Sequence, residues 1–93
     1  MIEIIGKTTD NKFVVSGVFK FVETYGFPLE DLLYELQQRN YMPSWPEYVR
    51  EGLTAGMAFD RLISRLEPAI SEVYGVAFCD KVIQLLRNKN NGR

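Results

Sequence analysis

The chain has 93 residues, of which 46% are hydrophobic and 25% are charged, and its formal net charge is −1. These values are typical of one soluble globular domain, and they exclude a dominant electrostatic field as the basis of function. The absence of histidine, with Cys79 as the single cysteine, excludes an intramolecular disulfide, a Cys/His zinc site within one chain, and a Ser-His-Asp or Cys-His nucleophile. We therefore predict a protein that is not an enzyme and uses no cofactor.

The N-terminal stretch MIEIIGKTTDNK has neither the basic start nor the long apolar run of a signal peptide. No segment approaches the ~20 apolar residues that a membrane-spanning helix needs. We therefore expect a cytoplasmic protein that contacts no membrane.

Residues 1–15 predict a small β-hairpin. The segments IEII and FVV are rich in β-branched and aromatic residues, and Asp10-Asn11 between them suits a turn. An isolated two-stranded hairpin is marginally stable in water, so it must pack on other elements. In the segment that follows, SGVFKFVETYG, apolar residues recur at helical spacing and Ser16 is placed to cap a helix, but the alternation in VFKFV also fits a continuing strand.

Residues 28–39 predict the clearest helix. Four leucines form one apolar stripe, Pro28 fits the first turn, and Asn40 is a suitable left-handed stop. The stretch RNYMPSWPEYVRE then predicts a corner between this helix and a second one at about 45–55, because Ser44 and Glu47 match the S-x-x-E capping box. Gly52 either weakens that second helix or lets another helix come close.

Two further helical patterns complete the chain. The segment AFDRLISRLEPAISEVYG has apolar residues at helical spacing, but Pro68 predicts a kink or break. A final amphipathic helix follows Gly75 to about residue 87. The whole is predicted as a single mainly α domain over residues 1–93, with four to six short helices around one core, a hairpin at 1–15, a helical part at 16–87, and a flexible basic tail at 88–93.

The aromatic residues of the corner are the strongest indication of a binding site. Trp and Tyr are enriched in binding hot spots, although they also fill protein cores. The sequence therefore leaves open whether Trp45 lies in the core or on a partner-binding surface. Because so short a chain has more apolar helix surface than one core requires, we predict a self-associating protein–protein interaction protein, an accessory partner of another protein. The predicted partner-binding residues are Tyr41, Met42, Trp45 and Tyr48.

The alternative prediction is a nucleic-acid-binding regulator that uses the basic C-terminal half. Its candidate residues are Arg61, Arg65, Arg87 and Lys89. A helix-turn-helix made of residues 28–39 and 45–55 is disfavoured, because acidic side chains outnumber basic ones on both helices and would repel phosphates. Arg61 and Arg65 also fit a solvated helix face with local ion pairs.

The order YGFPLEDLLYELQQRNYMPSWPEYVREGLTAG, then FDRLISRLEPAISEVYG and a final amphipathic helix, resembles small helical proteins of phages and prophages. The resemblance covers about residues 16–87 and rests on the order of elements. It implies a phage-encoded protein and supplies no catalytic residue.

Overall fold

The structure, a computed structural model, describes residues 2–91. Over that range the elements follow in the order β1 (Glu3–Lys7), β2 (Phe13–Ser16), α1 (Val18–Tyr25), α2 (Leu29–Gln38), β3 (Tyr41–Pro43), α3 (Trp45–Thr54), α4 (Phe59–Tyr74) and α5 (Val76–Asn91). One cluster of buried apolar side chains takes residues from β2 and from all five helices. The predicted mainly α fold with a small N-terminal hairpin is confirmed.

The sheet contains one strand more than the sequence predicts. β1 and β2 form the expected antiparallel hairpin, with a turn in which Asn11 has φ +68°. β3 then pairs with β2 in parallel, with Phe13 opposite Tyr41 and Val15 opposite Pro43, so the strand order is β1-β2-β3. The predicted helix-to-helix corner is thus partly a strand. This strand forms by pairing with residues about 28 positions earlier in the chain, and the sequence pattern around the corner does not indicate such a distant pairing.

The segment after β2 is a helix and not a continuing strand. Gly17 (φ +89°) breaks the extended backbone and lets the chain turn directly into α1, which ends at Gly26 (φ +63°). Ser16, the predicted cap, belongs to β2, and Gly17 takes the N-cap position without a side-chain hydrogen bond. The donors at the start of α1 therefore need partners from elsewhere in the chain.

The start of α3 follows the sequence closely. The Ser44 hydroxyl accepts a hydrogen bond from the Glu47 N–H at 3.3 Å, as the capping box predicts. The Glu47 carboxylate, however, lies 2.9 Å from Nε and 2.5 Å from Nη2 of Arg50, and this hydrogen bonding holds the pKa of Glu47 below its usual value.

Helix α4 runs without a break through Pro68, so of the predicted kink or break, the break is wrong. Proline removes one backbone donor, but this helix also packs against α2, α3 and α5. These contacts keep the helix continuous through the proline. The Cys79 thiol of α5 donates to the Glu67 carbonyl at 3.3 Å, which joins α5 to α4 beside the proline. Helix α5 continues to Asn91, so residues 88–91 of the predicted tail are helical, and the last two residues lie outside the described range.

Candidate interaction surfaces

Two of the four predicted partner-binding side chains lie in the core. Trp45 is 7% exposed, with its ring edge-on to Tyr74 at 5.8 Å and to Phe78 at 6.4 Å between centroids. Tyr48 is 1% exposed and meets Phe19 edge-on at 5.4 Å. Side chains this deeply buried offer no contact area to a partner of the folded chain.

The other two predicted residues lie in β3 and are half-buried. Tyr41 packs edge-on against Phe13 of β2 at 6.0 Å, and Met42 packs against the edge of the core. The four residues are close in sequence, but the structure does not present them as one aromatic surface. The reason is that β3 pairs with β2 and α3 turns its first aromatic residues inward.

The buried phenols of Tyr48 and Tyr74 are not placed to act as acid–base groups. The hydroxyls of Tyr48 and Tyr74 have no hydrogen-bond partner among the described residues. Burial raises the pKa of Tyr74 to about 12, and burial is also the main cause that raises the pKa of Tyr48. Both side chains therefore stay neutral near pH 7 and serve as apolar packing groups.

Glu51 is a charged side chain of the interior, 5% exposed, with a structural task. One carboxylate oxygen accepts from the Gly17 N–H at 2.8 Å, and the other accepts from the Lys20 N–H at 3.3 Å. These are donors at the start of α1, so a carboxylate from α3 caps the helix that lacks a cap of its own. Sequence reasoning missed this role of Glu51, because the N–H donors that it binds lie at the start of a helix that is distant in sequence.

Among the predicted nucleic-acid-binding residues, Arg65 is engaged in an ion pair. Its Nη1 lies 3.0 Å from Oε2 of Glu23, and the pair joins α4 to α1. Both side chains line a cleft of about 560 Å³, and Glu30 lies on the same cleft wall. The Glu23 carboxylate paired with this guanidinium, together with Glu30 in the same cleft, disfavours a phosphate ligand at this place.

The remaining three, Arg61, Arg87 and Lys89, are exposed. Gly75 alone separates α4 from α5, and the two helices pack closely, so the first turn of α4 lies near the last turns of α5. A shallow apolar groove at this end, about 260 Å³ in volume, is lined by residues of α3, α4 and α5, including Lys89. Of the three cations, Lys89 lines this apolar groove and Arg61 and Arg87 do not.

The most exposed apolar segment of the fold is an edge strand that the sequence did not single out as a site. All five residues of β1 are exposed, with Ile4 at 54% and Ile5 at 52%. Within residues 2–91 this strand pairs only with β2, so its outer row of backbone donors and acceptors has no strand beside it. Other strongly exposed apolar residues, such as Tyr25 and Val76, lie on helices and not along an open strand edge.

A bulge explains why two adjacent isoleucines are exposed. Ile4 pairs with Val15, but Gly6 pairs with Val14, so Ile5 is an extra residue in β1. A bulge interrupts the strict alternation of side chains between the two faces of a sheet. The signal in the sequence is the run IEII itself, but only the strand order shows that it lies at an open edge.

Comparison with protein-family models, curated protein sequences and solved structures finds no match to this chain. Within the part of the chain that the structure describes, no helix is long and apolar enough to cross a membrane. The same residues contain no group of three or more Cys, Asp or Glu side chains arranged to hold a metal ion.

Proposed function

We propose that the protein is a non-enzymatic, self-associating interaction protein that acts as an accessory partner of other proteins in the cytoplasm. The observation that carries this proposal is the free edge of β1, a strand whose five residues are all exposed, with two isoleucines and no strand along its outer backbone row within residues 2–91. A strand of this kind is a template for strand addition, in which backbone hydrogen bonds supply affinity and side chains supply selectivity. The resemblance of residues 16–87 to small phage proteins extends the proposal to a phage-encoded accessory role.

The contact proposed here differs from the one that the sequence predicts. The aromatic residues around Trp45 stabilise the monomer, because they fill the space between α3, α4 and α5. The apolar side chains left outside the core at the sheet are Ile4, Ile5 and Phe13, of which Phe13 is 36% exposed. Association through them removes apolar area from water, which is the general driving force for assembly.

Light scattering coupled to size-exclusion chromatography tests this proposal. The wild-type protein is expected to exceed the 10.7 kDa of the single chain in a concentration-dependent manner. The double variant Ile4→Lys/Ile5→Lys is expected to elute as a monomer, since charges on an edge strand oppose pairing. The control Val76→Lys places a lysine on α5, at an apolar residue that is 66% exposed, and is expected to leave the mass unchanged.

Two results would contradict the proposal. One is a wild-type protein that stays monomeric at the highest concentration tested. The other is a Val76→Lys control that dissociates the assembly as fully as the strand variant does. Circular dichroism of each variant shows whether the fold is retained.

The nucleic-acid alternative has less support, because the ion pair with Glu23 occupies one of its four candidate cations. A binding titration with mixed-sequence DNA at low salt tests it directly, since phosphate contacts are strongest there. No binding under those conditions rejects the alternative.

A further inference from the structure

We propose that two chains associate through antiparallel β1–β1′ pairing centred on Ile5, so that Glu3 of each chain lies opposite Lys7 of the other. This inference rests on the proposed self-association and adds its register. The result is a closed two-fold dimer with a continuous six-stranded sheet, β3-β2-β1-β1′-β2′-β3′.

The charge pattern of the strand supports this register. In the sequence EIIGK the only two charges stand at the two ends of β1, with opposite signs and equal distance from Ile5. A two-fold axis at Ile5 therefore turns one such strand into two identical Glu–Lys pairs, with the bulge residue Ile5 of each chain at the axis. Opposite charges directly across an antiparallel ladder stabilise it, whereas like charges destabilise it. Parallel pairing in register sets Glu3 against Glu3 and Lys7 against Lys7, so the charges disfavour it.

Both charged side chains are available for this contact. Glu3 and Lys7 are exposed and neither takes part in an ion pair within the described residues of the chain. The Lys7 ammonium lies 5.2 Å from the centroid of the Phe13 ring, which places it beside an apolar residue at the strand edge. Isoleucine side chains at the centre and charges at the ends match the usual interface arrangement of an apolar centre with a polar rim.

The other edge of the sheet explains why the assembly stops at two chains. β3 has three residues, and its last, Pro43, lacks a backbone N–H. Short edge strands with proline are poor templates for pairing. Each chain thus offers one open edge, and isologous contact through it closes the assembly.

Charge exchange tests the register. The single variants Glu3→Lys and Lys7→Glu each turn both cross-strand pairs into like-charge pairs, so each is expected to raise the dimer dissociation constant by about tenfold. The double variant Glu3→Lys/Lys7→Glu restores opposite charges and is expected to recover wild-type association. An equimolar mixture of the two single variants is expected to form heterodimers, seen by native mass spectrometry, because all their cross-strand pairs are attractive.

Cysteine cross-linking separates antiparallel from parallel pairing. A mixture of Glu3→Cys and Lys7→Cys chains is expected to form a disulfide between the two variants under mild oxidation, because these positions face each other. Glu3→Cys alone is expected to form none. The native Cys79 is 2% exposed, so the wild type serves as a control without cross-links.

The outcomes distinguish this inference from the broader proposal. A wild-type dimer that is unaffected by the single charge reversals, or Glu3→Cys chains that cross-link to themselves, overturns the register while self-association stands. A wild type that is monomeric at every concentration overturns both. Recovery by the double variant together with the mixed disulfide supports the register.

Discussion

The substitution Gly52→Ala tests how closely α3 and α4 approach each other. A Cβ at this position would stand 2.9 Å from Cδ1 and 3.1 Å from Cγ of Leu62, and it would come closer still to Cδ2. Carbon atoms pack at about 3.5–4.0 Å, and Leu62 is fully buried, so its side chain has no open space to move into. Overpacking of this kind costs about 1–3 kcal/mol, whereas removal of a glycine from a helix interior gains about 1 kcal/mol. We therefore expect a net loss of up to about 2 kcal/mol in the free energy of unfolding.

The assay is urea unfolding followed by circular dichroism, carried out in the Ile4→Lys/Ile5→Lys background so that dimer dissociation does not contribute. Thr54→Ala, an exposed change in the same helix, is the control for helix propensity and is expected to leave stability unchanged or slightly raised.

A second background shows whether the contact with Leu62 is the cause. Leu62→Ala alone is expected to cost about 2–5 kcal/mol. In that background the Gly52→Ala change no longer meets the leucine methyl groups, so only the gain in helix propensity of about 1 kcal/mol remains. If Gly52→Ala destabilises the chain equally with and without Leu62, or stabilises it in both, the close approach of these helices does not limit position 52 and the reasoning is wrong.

Two further predictions concern buried polar groups. Glu51→Ala leaves the Gly17 and Lys20 N–H groups without their acceptor and is expected to lower the free energy of unfolding by about 1–3 kcal/mol, whereas the exposed Glu35→Ala is expected to change it by under about 0.5 kcal/mol in the same urea assay. For Tyr74, the folded pKa of about 12 exceeds the value of 10 of an unperturbed phenol, so the unfolded chain releases this proton first and stability falls as pH rises from 10 to 12. Tyr74→Phe is expected to flatten that part of the stability–pH curve, and an unchanged slope in thermal unfolding at pH 10, 11 and 12 would contradict the assignment.

Features set by neighbouring residues could be predicted from the sequence. The leucine stripe predicts α2, and the Ser44 hydroxyl caps the start of α3. Asn40 takes the left-handed conformation (φ +63°) that ends α2. Each depends on side chains within a few positions of one another, so the pattern in the sequence and the physical cause coincide.

Features set by distant residues could not be predicted. Glu51 caps a helix 31–34 positions away, and nothing around Glu51 in sequence distinguishes it from an exposed acid. Pro68 predicts a break by local rules, but the packing of α4 on three other helices overrides them. Trp45 illustrates the same limit for the site, because whether an indole fills a core or meets a partner depends on which elements lie opposite, here Tyr74 and Phe78.

The pairing of β3 with β2 determines which surface is left for a partner. β3 pairs with the second edge of β2 and so fixes the chain immediately before α3, with Trp45 directed towards α4 and α5. The aromatic residues of this segment are therefore buried within the monomer. The same pairing leaves β1 as the long open edge of the sheet, with Ile4 and Ile5 exposed because no element covers them. The interface proposed for this fold therefore depends on strand order more than on aromatic content. Two adjacent exposed isoleucines at a sheet edge are a stronger candidate than a Trp–Tyr cluster at a capped helix start.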